Sequence, residues 1–114
     1  MTDPTTRLEQ ERVEIARRLA SLRGDVDSIV DSVSLMTADD EHDSEGATIG
    51  FERAQAEALV EQAQAHLAEV NAALQRIAHG TYSTCVRCGK PIAPERLEAR
   101  PEAAQCITCA SRRS

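Results

Sequence analysis

The sequence has no Trp, one Phe and one Tyr among 114 residues. Aromatic rings supply much of the bulk of an ordinary globular core, so their scarcity argues against one. No apolar run approaches the ~20 residues that span a bilayer. The N-terminus, MTDPTTRLEQ, lacks a basic segment leading into an apolar one. Neither a membrane span nor a signal peptide is therefore expected, and the reading is a cytoplasmic protein with reduced cysteines. Proline is missing from Thr5 through Lys90, so nothing there breaks a helix by removing an amide donor. Basic residues are missing from the ten-residue stretch TADDEHDSEG, Thr37 to Gly46, which holds Asp39, Asp40, Glu41, Asp43 and Glu45.

What remains is rich in Ala, Leu, Ile, Val, Glu, Arg and Gln, the composition of coiled coils and long helical hairpins. The net charge of -6 is unevenly spread. Residues 1–80 carry 7 Arg against 16 acids, a balance of -9, and residues 81–114 carry 6 Arg plus Lys against 3 Glu, a balance of +3. Nonspecific DNA binding works by displacing counterions from phosphates with basic side chains, which the acidic part cannot do.

Apolar residues recur at Leu8, Ile15, Leu19, Leu22, Val26, Ile29, Val33 and Met36, mostly in alternating steps of four and three. Ala56, Val60, Ala63, Leu67, Val70, Leu74 and Ile77 repeat the pattern. These are coiled-coil seams. Thr6 with Glu9 fits a capping box at the start of the first helix, with Pro4 just outside it. Gly24 marks a candidate bend, and Gly80 a C-cap. Each helix should be about 30 residues and about 45 Å long. A short connection favours antiparallel packing, with the acidic stretch at the far tip. The expected fold is mainly α: an antiparallel helical hairpin over residues 1–80 and a small four-Cys zinc ribbon over residues 81–114. A monomer is expected, with a parallel homodimer through either seam as the alternative.

Cys85 and Cys88 form one C-x2-C, and Cys106 and Cys109 another, with 17 residues between the pairs. Two such pairs can surround one Zn²⁺ tetrahedrally. Four thiolates leave no open position for water, so the zinc is structural rather than catalytic. Gly89 follows the first pair where a tight turn is needed. Tyr82, Ile92, Leu97 and Ile107 are the expected packing residues of this segment. His42, His66 and His79 lack ligand spacing and read as surface residues. No nucleophile–base pair, phosphate-binding Gly loop or open metal site is visible, so an enzyme is not expected.

The run C-x2-CG-x3-I-x3-RLEARP-x4-C-x2-C, carried by Cys85, Cys88, Gly89, Ile92, Arg96 through Pro101, Cys106 and Cys109, resembles the DksA/TraR family of bacterial transcription regulators. The resemblance is specific over residues 37–110, and residues 5–36 match only in kind. It implies a partner, RNA polymerase, whose secondary channel admits the coiled coil, and a zinc ribbon at the base that includes Arg96 and Arg100. No sequence-specific DNA reading is implied. The family's tip motif is Asp-x-x-Asp-x-Ala. Asp40 and Asp43 supply its acids, but Glu45 stands where Ala belongs. An ungapped count from the ribbon gives instead His42, Glu45 and Ala47. Guanosine tetraphosphate is implied as a co-effector. Arg100 is retained from that site, whereas Glu69 replaces a family Lys and only ASRRS follows Cys109. The competing readings are a zinc-finger DNA-binding protein, using Arg87, Lys90, Arg96, Arg100, Arg112 and Arg113, and a coiled-coil adaptor.

Overall fold

In the computed structural model the backbone is described for residues 3–36 and 43–112, and side chains for residues 3–27 and 48–112. Four helices follow one another: α1 (Pro4–Met36), α2 (Asp43–His79), α3 (Pro94–Ala99) and α4 (Ile107–Ser111). The described residues contain no strand, only an isolated antiparallel bridge between Thr84 and Pro91. The fold is thus an antiparallel helical hairpin followed by a small cysteine-rich finger.

The first helix starts earlier than the Thr6/Glu9 box suggests. Arg7 N–H donates to Asp3 C=O at 3.1 Å, which makes Asp3 the cap and Pro4 the first helical residue. Proline suits that position, because its fixed φ is already helical and its missing amide has no partner there anyway. The helix runs through Gly24 without a break. The second helix also starts early: Asp43, Ser44, Glu45 and Gly46 belong to α2 rather than to the connection. Acids in a first turn face the positive end of the helix dipole. The two helices leave only residues 37–42 between them.

The seam is buried unevenly. Leu8, Ile15 and Leu19 on α1 and Ala56, Ala63, Val70 and Ala73 on α2 are buried. Leu22, Val26, Val60, Leu67, Leu74 and Ile77 are half-buried. The closed row on α2 includes Ala56, Ala63 and Val70, spaced by seven. Small side chains there let backbones approach closely, and two helices alone cannot cover the bulkier row on both sides. Ile29, Val33 and Met36 lie outside the described side chains. Phe51 is 71% exposed, so the one Phe adds nothing to the core.

The chain divides into two compact units. One consists of Ile15–Ala65, the other of Met1–Glu14 with His66–Ser114. The second unit joins the helix ends to the finger. Gly80 (φ +78°) ends α2. Gly80 N–H bonds to Ile77 C=O at 3.2 Å and Thr81 N–H to Arg76 C=O at 2.9 Å, the paired bonds of a Schellman ending.

Candidate metal centre and finger base

The finger's local structure follows from the first C-x2-C. Gly89 N–H bonds to Cys85 C=O at 3.0 Å and Cys85 N–H to Lys90 C=O at 2.8 Å. This tight reversal puts Gly89 at φ +76°, a conformation that costs a side-chain-bearing residue about 1–2 kcal/mol. Ile92 N–H then bonds to Ser83 C=O at 2.8 Å, and Val86 N–H to Ala104 C=O at 2.9 Å. The second bond links the first cysteine turn to the segment that carries the second pair. Cys106 is the residue before α4, and Cys109 lies within that helix.

The ligand atoms of Cys85, Cys88, Cys106 and Cys109 all lie within 4.8 Å of one another. The sulfurs of Cys88 and Cys106 are 3.7 Å apart. Tetrahedral zinc with bonds of about 2.3 Å places its sulfurs about 3.8 Å apart, whereas a disulfide needs about 2.05 Å. All four cysteines are free thiols. Main-chain N–H groups aim at the sulfurs. Those of Cys106, then Cys88, pull the Cys85 thiol down to about 6 against the effect of burial. The amide of Cys109 lowers Cys106. Cys109 itself is pushed up to about 12 by burial first, then by the neighbouring thiols. Four thiolates this close repel one another, and a dication relieves that repulsion while displacing the remaining protons. The donor set fits structural Zn²⁺ and leaves no position for a reacting water.

Cys85, Ile92 and Cys109 form the finger's apolar centre, with Leu97 and Cys106 packed against it. Ile107, expected to join them, is 63% exposed. It opens α4, whose inward-facing residue is Cys109. Tyr82 is half-buried and donates its hydroxyl to Pro101 C=O at 2.8 Å. Burial raises its pKa, with Arg7 and Arg76 opposing.

The segment RLEARP works mainly as scaffolding. Arg96 Nε donates to Gln105 C=O at 2.8 Å, and Arg100 Nε meets Glu102 Oε1 at 3.4 Å. From the helix ends, Arg7 donates to Glu98 C=O at 2.7 Å. Arg76 donates to the carbonyls of Glu102 and Ala103 at 3.5 and 3.3 Å. Burial holds the Arg76 guanidinium below its usual pKa. The sequence pattern gives no sign of Arg7 or Arg76 as anchors, because their partners are carbonyls distant in sequence.

Of the other predicted residues, Asp40 and His42 lie outside the described residues. Asp43 and Glu45 lie in the first turn of α2, with their side chains outside the described set. His79 is exposed, with Nδ1 2.7 Å from Gln75 C=O. His66 is half-buried and pairs with Glu11 at 3.2 Å.

Residues 80–114 match the family model described as the prokaryotic dksA/traR C4-type zinc finger. Residues 80–114 are thus similar to the dksA/traR type of four-cysteine zinc finger. General stress protein 16O of Bacillus subtilis (strain 168) is 29% identical over 106 residues, covering 92% of this chain and 65% of its own length. An uncharacterized protein YteA of the same organism is 40% identical over 73 residues, 64% of this chain and 30% of its own. An uncharacterized protein of Aquifex aeolicus (strain VF5) is 46% identical over 46 residues, 40% of this chain and 32% of its own. The chain thus spans 65% of the first relative and about a third of the other two. The solved structure of transcription factor DksA2 from Pseudomonas aeruginosa superimposes with a TM-score of 0.53 at 24% identity, covering 92% of this chain and 81% of that one. At this identity the likeness is one of fold.

Proposed function

We propose that the protein is a transcription regulator that binds RNA polymerase directly and places the connection between α1 and α2 in the enzyme's secondary channel. The observation that carries this reading is the pairing of a DksA/TraR finger with a helical hairpin of DksA-like fold. The acidic connection supports it. Carboxylates brought into a narrow, poorly solvated pore act on nearby cations more strongly than on an open surface. In this proposal Asp40, Asp43 and Glu45 modulate initiation, and the base around Arg96 and Arg100 docks on the polymerase surface. The zinc holds the finger's shape, and the protein itself is not an enzyme.

The DNA-binding alternative is disfavoured by how the finger's basic residues are used. Arg87 donates to Arg112 C=O at 3.3 Å, Arg96 to Gln105 C=O, and Arg100 faces Glu102. Three of the segment's six basic side chains thus already have protein partners, which reduces the charge free for phosphates. A strong response to guanosine tetraphosphate is not expected, because Glu69 is exposed where the family carries Lys.

Binding is tested with purified polymerase from the source organism and zinc-loaded protein in size-exclusion chromatography. Co-migration that is insensitive to nuclease supports the proposal. Failure to co-migrate, together with a shift of bare duplex DNA at the same concentration, would reverse the order of the two readings.

A further inference from the structure

A second set of metal-binding side chains lies outside the cysteine centre. One ligand atom each from Glu11, His66 and Glu102 falls within 4.8 Å of the other two. They come from α1, from α2 and from the turn after α3, all within the unit that contains the finger. His66 Nε2 stands 3.2 Å from Glu11 Oε1, and both side chains are partly shielded.

Glu102 is the unusual member. Its side chain is 9% exposed, and a carboxylate so far from water needs strong partners. Among the described residues the hydrogen-bond donor it meets is Arg100 Nε, at 3.4 Å, from a side chain 61% exposed. That contact is long, and Arg100 is free to swing into solvent. The other two nearby guanidiniums donate to main-chain carbonyls, Arg7 to Glu98 and Arg76 through Nη2 to Glu102 and Ala103, while Arg76 Nε is buried without a hydrogen-bond partner among the described residues. A nearly buried carboxylate thus points into a cluster with a second carboxylate and an imidazole, and has one poor partner.

We infer that Glu11, His66 and Glu102 form a second metal site for a first-row divalent ion such as Zn²⁺. Two carboxylates balance the ion's charge. The imidazole selects transition metals over Ca²⁺ and Mg²⁺, which favour all-oxygen shells. Three protein ligands leave a fourth position for water. The ion ties α1, α2 and the segment after α3 together at one point. The site is weaker than the four-thiolate centre, because Arg7, Arg76 and Arg100 contribute positive charge nearby and its donors are harder. It therefore fills last and empties first.

The test uses full-length, tag-free protein carrying one Zn²⁺ in the cysteine centre. Zn²⁺ is titrated in, bound metal per chain is counted after desalting, and Co²⁺ is added to the zinc-loaded protein as a spectroscopic probe. The expected result is a second ion per chain, bound at least about tenfold more weakly than the first. A mild chelator should strip it and leave the first in place. Glu11→Gln and Glu102→Gln preserve shape and should each abolish the second event while keeping one zinc and unchanged helical circular dichroism. His66→Ala should do the same. A stoichiometry that stays at one, or a second ion retained in both Gln variants, would overturn the assignment.

Discussion

The finger and the helical hairpin both form without aromatic bulk, but by different means. In the finger the apolar centre is Cys85, Ile92 and Cys109, with Leu97 and Cys106 against it. Three of those five side chains are also metal-facing thiols, so the metal and the core are nearly the same object. In the hairpin no single group is central. Burial is spread along Leu8, Ile15, Leu19, Ala56, Ala63, Val70 and Ala73, each contributing a modest transfer free energy. One region should therefore collapse when one ion leaves, and the other should weaken in steps.

The largest effect should come from the metal. Structural zinc in small fingers is worth about 10–16 kcal/mol. Chelation, or Cys109→Ser, should abolish hydrogen-exchange protection across residues 81–112 while residues 15–65 keep most of their helical signal. A finger that stays protected without metal would erase the contrast. Leu8→Ala, at a fully buried position, should cost about 2–4 kcal/mol in urea unfolding. Gly80→Ala should cost about 1–2 kcal/mol, all of it from the left-handed backbone, because a Cβ there meets nothing within 4 Å. Tyr82→Phe removes the hydroxyl bond to Pro101 C=O and should cost about 1 kcal/mol. Phe51→Ala, at an exposed site, should stay within about 0.5 kcal/mol of zero. A larger loss there would mean that the one Phe is covered in solution.

Much of this architecture is visible in linear sequence because it is periodic or local. The seam spacing fixes two helices, the cysteine pairs fix the metal centre, and Gly80 and Gly89 sit at the positive φ values their turns require. Errors arose where two local signals competed. Thr6 and Glu9 make a capping box, but Asp3 followed by Pro4 caps one turn earlier. The acidic stretch reads as loop, yet Asp43 and Glu45 suit a helix N-terminus. Ile107 reads as core by its side chain alone, whereas its place opening α4 turns it outward. The contacts of Arg7 with Glu98, Arg76 with Ala103 and Glu11 with His66 were not legible at all. They join residues with no fixed spacing, and their partners include carbonyls that no residue type announces.

The central functional claim is tested most directly by in-vitro transcription with the cognate polymerase, comparing wild type with Asp40→Asn/Asp43→Asn/Glu45→Gln at equal polymerase binding and equal zinc content. The account predicts that wild type changes promoter output and that the variant binds but leaves output unchanged. A variant as active as wild type would contradict it, and would move the effect from these three acids to the rest of the helices or the finger.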